Sequence, residues 1–162
     1  MNLMGIRIEL LMVLMGILFR FTQLTKEDRK MYVLVDLIED DATRFIRLLN
    51  TDTGIVEECF DDSAVVSENN FDFMQKGQKY DCKIKLLGRA VAEGTGDSVD
   101  CKVIRERVII GKKIMTEVQI NSGTYYVPQQ KVRDYLNGES FGFCFTRKDL
   151  IQVDDIIHAD LL

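Results

Sequence analysis

The sequence predicts a mainly β, α+β domain built on an antiparallel meander. Three observations carry this. Short runs rich in Val, Ile, Leu and Tyr alternate with polar residues, the two-residue period of half-buried strands. Turn-forming clusters such as Asn50-Thr51-Asp52-Thr53-Gly54 separate these runs. One proline in 162 residues leaves no material for a Pro-rich linker, and the length suits about one domain.

The elements follow in order. MYVLVDLIE (31–39), TRFIRLL (43–49) and IVEECF (55–60) read as three strands joined by polar turns. DDSAVV (61–66) reads as the start of a short helix, because aspartates suit a helix N-terminus. KYDCKIKLL (79–87) alternates cleanly and places Tyr80, Cys82, Ile84 and Leu86 on one face. A long loop over 88–100 leads to CKVIRERVII (101–110), KIMTEVQI (113–120) and TYYV (124–127). A three-residue turn at Gly111-Lys112-Lys113 would set Ile110 opposite Ile114 and Arg107 opposite Glu117. A two-residue turn at Ser122-Gly123 would set Val118 opposite Val127. Pro128 and Gly138 bracket a helix over 129–137, with Val132, Tyr135 and Leu136 at helical spacing. Phe141, Phe143 and Phe145 alternate as a strand. Thr146-Arg147-Lys148-Asp149 has the form of a capping box, and IQVDDIIH (151–158) reads as the last strand.

Residues 31–162 therefore read as a single β-rich domain. The order strand–strand–strand–helix–strand–strand over 31–110 is that of a small five-stranded barrel of the oligonucleotide/oligosaccharide-binding (OB) type. On that reading 31–110 is a barrel-like half, and 113–162 is a C-terminal ββαββ extension packed on the same core.

Residues 1–30 stand apart. They carry five basic and three acidic residues (+2), whereas the remainder carries 16 basic and 23 acidic (−7). Their apolar run, Leu10 to Phe19, spans ten residues, against about 20 needed to cross a bilayer. Three readings fit: an amphipathic or core-packing helix; a membrane anchor or uncleaved signal, with membrane contact only through residues 3–21; or a segment outside the functional protein, whose start would then be Met31.

Composition excludes several chemistries. The net charge of −5 argues against a broad non-specific nucleic-acid binder. Cys59, Cys82, Cys101 and Cys144 form no CxxC pair, so the local zinc signature is absent. They read as reduced, small apolar residues in a cytoplasmic setting, with membrane association through the N-terminal run as the alternative. His158 is the only histidine and hence the only base for a triad with Cys144 or another thiol. The glycines of 88–100 lie between strands and lack the Lys-Ser/Thr pair of a phosphate loop. No cofactor is expected.

Two constellations remain. Asp154 and His158 would share one face of the last strand and so could hold a divalent metal, as in a metal-dependent hydrolase that also drew on the acidic clusters. More suggestive is a basic sheet face: Lys83 and Lys85 on one strand, Arg105 and Arg107 on the neighbouring one, and Tyr126 facing outward beside them. Lys83 opposite Arg107 and Lys85 opposite Arg105 would repel unless an anion relieved them. The expected function is a non-catalytic binding or regulatory module acting through protein contacts, with single-stranded nucleic acid on the basic face as the alternative.

Overall fold

The computed structural model describes residues 29–162, and the expectations for the apolar run lie outside the described residues. Among the described residues nine strands form one sheet. They are β1 (Met31–Asp40), β2 (Thr43–Asn50), β3 (Val56–Asp61), β4 (Lys79–Val91), β5 (Val99–Ile110), β6 (Lys113–Ile120), β7 (Gly123–Pro128), β8 (Ser140–Val153) and β9 (Ile156–Ile157). Two single-turn helices, α1 (Ser63–Val66) and α2 (Gln129–Val132), lie between them, and 3₁₀ turns cover Arg133–Tyr135 and Ala159–Leu161. The order is β3-β2-β1-β4-β7-β6-β5-β8-β9, with β8 also paired to β3 and to β4. All pairings are antiparallel except β3–β8 and β4–β7, each of which meets at one position, Phe60 with Asp149 and Lys85 with Tyr126.

Alternation builds the core. Tyr32 and Leu34 of β1, Ile46 and Leu48 of β2, and Tyr80, Cys82, Ile84 and Leu86 of β4 point inward, where Phe141, Phe143 and Leu150 of β8 meet them. A smaller cluster of Ile110, Met115, Tyr126, Ile151 and Leu161 forms on the opposite face of β7 and β8, since Tyr126 and Ile151 alternate with inward neighbours. The C-terminal turn closes this cluster: the Lys112 N–H donates to the Leu161 carbonyl at 2.6 Å. Gly111 (φ +59°) has no room for a Cβ, which would lie 2.2 Å from that same oxygen.

Several expectations are corrected. The long loop is shorter, because β4 runs on to Val91 and β5 begins at Val99. Gly88 lies within β4, where a Cβ would come 2.1 Å from the Cys144 carbonyl oxygen. Thr146 to Asp149 caps no helix and lies inside β8, a 14-residue strand. The ladder with β4 skips Thr146 and Ile151, so β8 bends at two bulges along its length. The last strand is divided by an Asp154-Asp155 turn, with Asp154 at φ +50°. The 129–137 helix is one α-turn followed by a 3₁₀ turn, held by fully buried Val132.

Registers shift too. Gly111-Lys112 forms a two-residue turn, so Ile110 meets Lys113 and Ile109 meets Ile114. Bulges at Ile104 and at Glu106-Arg107 then bring Arg105, not Arg107, opposite Glu117. The next turn is Asn121-Ser122, with Asn121 at φ +52°, a backbone conformation that asparagine tolerates. Val118 therefore faces Tyr125. β5 pairs with β6 and β8, whereas β4 pairs with β1, β7 and β8. The expected β4–β5 neighbours are thus separated, and the 113–162 segment supplies β8, which joins β3, β4 and β5.

Candidate functional site: a cationic face around Arg107

The β5–β6 hairpin carries the densest positive charge among the described surface clefts. A cleft of about 530 Å³ is lined by Arg29, Lys83, Arg105 and Arg107, with Asp81, Tyr126 and two aliphatic residues. An adjoining cleft of about 740 Å³ is lined by Arg107, Lys112, Lys113 and Arg133, with Gln129, Gln130, Ile109 and Ile114. Arg107 and Ile109 line both. Together the two clefts present seven different cationic side chains and one carboxylate, Asp81, in a chain with more acidic than basic residues.

Local backbone geometry places Arg107 at this junction. It has φ +56°, a left-handed conformation that costs a non-glycine residue about 1 kcal/mol or more. The bulge in β5 demands it, and the Gln129 side chain holds it by accepting the Arg107 backbone N–H at 2.8 Å. Without the bulge, alternation alone would fix where Arg107 points. Arg105 is held differently. Its guanidinium grips Glu117 by two contacts, 2.8 Å from Nη2 and 3.1 Å from Nε, and Glu117 is nearly buried. Lys83 donates to the Gln152 Oε1 at 2.7 Å.

Four of the five residues expected on the basic face, Lys83, Arg105, Arg107 and Tyr126, line one cleft. They meet across β4, β7, β6 and β5 rather than across one hairpin. Tyr126 is buried in the smaller cluster, so it supplies a wall and no exposed ring. Lys85 is drawn away. Its ammonium pairs with Asp149 at 3.1 Å in a separate cleft of about 110 Å³, beside Arg147 and His158. Arg29, Lys112, Lys113 and Arg133 were not anticipated. The available signal was the density of Arg105, Arg107, Lys112 and Lys113 within nine residues of an acidic chain.

The expected metal pair does not form. Asp154 sits in the β8–β9 turn and accepts the Asp81 N–H at 2.9 Å. His158 is buried; its Nε2 lies 3.0 Å from Asp62 and its Nδ1 accepts the Asp160 N–H at 3.3 Å. Among the described residues no three His, Cys, Asp or Glu side chains are placed to hold one metal ion. The thiols of Cys59 and Cys82 are pushed well above the ordinary range by burial, and that of Cys101 up to about 12 by the same cause. A nucleophilic thiol needs the opposite shift. Among the described residues no helix is long and apolar enough to cross a membrane.

Compared with protein-family models, with curated proteins and with solved structures, the chain finds no match.

Proposed function

We propose that the protein is a non-catalytic binding module that recognises an anionic partner on the cationic face around Arg107. The observation that carries this is the convergence of seven cationic side chains on two adjoining clefts that contain one carboxylate. Arg105 is matched by Glu117, so the argument for an outside anion rests on the crowding of cations around Arg107 in two clefts lined by one carboxylate. The strained Arg107 agrees with this, because such strain persists where the surrounding structure holds it for use.

The scaffold in this reading is a five-stranded ring of the OB-like type. Its support is the cycle of pairings in which β1 joins β2 and β4, β2 joins β3, and β8 joins β3 and β4. β5, β6 and β7 then form an insertion that carries the site, with β8 as the fifth strand of the ring. Two partner classes present the required charge: an acidic protein segment and a single-stranded nucleic acid. The exposed isoleucines Ile109 and Ile114 beside the cations suit the former. Four buried or half-buried reduced thiols suit a cytoplasmic setting.

Retention on a heparin resin, an anionic polymer, tests the reading. The wild type is retained at low salt despite its net charge. Arg107→Glu with Arg133→Glu flows through while melting at an unchanged temperature. A wild type that is not retained at low salt contradicts the proposal.

A further inference from the structure

The two clefts that meet at Arg107 differ in how their charges are matched. In the first, Arg105 grips Glu117, Lys83 donates to Gln152, and Asp81 is one of the walls. In the second, of about 740 Å³, Arg107, Lys112, Lys113 and Arg133 have no carboxylate among the lining residues. Among the described residues none of these four side chains is in an ion pair.

The second cleft is also apolar at its centre. Ile109 and Ile114 form the second cross-strand pair from the Gly111-Lys112 turn, and both line the cleft. Their chain neighbours Ile110 and Met115 point into the smaller core cluster, so alternation turns Ile109 and Ile114 to the other face. β7 ends at Pro128, opposite Met115, and the chain leaves the sheet as α2, so no strand covers Ile114. Ile109 is 73% exposed, the most of any large apolar residue described, and Ile114 is 54% exposed. An exposed apolar patch rimmed by charge marks an interaction surface.

Resting on the anionic-partner reading above, we infer that the partner is an acidic protein segment carrying a branched apolar side chain among its carboxylates. The apolar side chain seats between Ile109 and Ile114, and the flanking carboxylates meet Arg107, Lys112, Lys113 and Arg133. Charge complementarity selects this occupant: four cations without internal partners surround an apolar floor. A single-stranded nucleic acid gains affinity by stacking its bases on aromatic rings, and no lining residue of this cleft is aromatic. A lipid surface meets the foremost part of a hairpin, which here is Lys112, its backbone tied back to the Leu161 carbonyl. The isoleucines lie behind it, in a concavity closed on its far side by Gln129, Gln130 and Arg133.

The test is fluorescence anisotropy on the full chain with two labelled peptides, oligoglutamate and the same peptide with one central leucine. Oligothymidylate and vesicles containing phosphatidylserine serve as competitors. The leucine peptide should bind about 10-fold more tightly, as expected for burying much of one leucine side chain. Ile109→Thr should erase that preference while leaving oligoglutamate binding unchanged, and Ile109→Val should keep most of it. Arg107→Glu with Arg133→Glu should weaken both peptides. Because Ile109 is largely exposed, its threonine variant should melt within a few degrees of the wild type. If the two peptides bind equally and Ile109→Thr changes neither, the apolar anchor is overturned while the anionic-partner reading survives. Oligothymidylate or vesicles that bind more tightly than the leucine peptide overturn it in favour of nucleic acid or lipid. A dimer in sedimentation that Ile109→Thr dissociates overturns it in favour of a second copy of the chain. If no polyanion binds at low salt, both readings fall.

Discussion

The two halves of the molecule use the same charged residue types for different ends. In and beside the β2–β3–β8 region four cations are matched by carboxylates that are mostly inside. Arg44 pairs with buried Asp61 and also with Asp72 at 2.8 Å. Lys148 pairs with Glu57, which is almost wholly buried and also accepts the Tyr125 hydroxyl at 2.5 Å. Lys85 and Arg147 share Asp149. At the β5–β6 hairpin Arg107, Lys112 and Lys113 instead gather around an open cleft with Arg133 of the 3₁₀ turn that follows β7. The first arrangement holds strands together, since removing one member leaves its partner's charge or hydroxyl buried without compensation. The second contributes little to folding and is available for binding. The comparison teaches that positive charge marks a site only where the fold leaves it unbalanced.

The largest expected effect lies in the first region. Glu57→Ala strands both Lys148 and the Tyr125 hydroxyl, and it should destabilise the protein by about 3 kcal/mol or more in chemical denaturation. A loss below about 1 kcal/mol would break the distinction between the halves.

Alkaline pH should act on the same region. The Tyr125 hydroxyl is held well above the ordinary tyrosine range, first by burial and then by its hydrogen bond to Glu57, and burial raises Tyr32 likewise. A raised pKa in the folded state means that the unfolded chain releases these protons first. Their contribution is complete below the unfolded value of about 10 and is lost as pH rises beyond it. A melting temperature that falls above that pH, and falls less in Tyr125→Phe, is the expected result.

The smallest effect belongs to the hairpin and has the opposite sign. Arg107→Gly relieves the left-handed backbone and should stabilise the fold by up to about 1 kcal/mol while weakening anion binding. Destabilisation instead would mean that Arg107 belongs with the structural pairs of the other half.

The strands were legible because alternation survives burial: 79–87 reads as it folds, with Tyr80, Cys82, Ile84 and Leu86 inward. β8 was not legible as one strand, because its polar middle, Thr146 to Asp149, has the form of a capping box until Glu57, Phe60 and Lys85 are placed around it. Registers in the β5–β6 hairpin failed first at the turn, which takes two residues rather than three, and then at bulges, which no periodicity encodes. Of the residues expected on the basic face, the cations Lys83, Arg105 and Arg107 line one cleft, whereas Tyr126, expected outward, is buried in its wall. Lys85 departed because Asp149, distant in sequence, lies within ion-pair reach. His158 and Asp154 share a period but not a place, since a turn separates their surroundings.

The claim that the Arg107 face takes an anionic partner is tested most directly by the salt dependence of oligothymidylate binding, wild type against Arg107→Ala. The log affinity of the wild type should fall linearly with log salt, and the variant's slope should be shallower by about 0.7, one phosphate contact. Equal slopes for the wild type and Arg107→Ala would contradict the account.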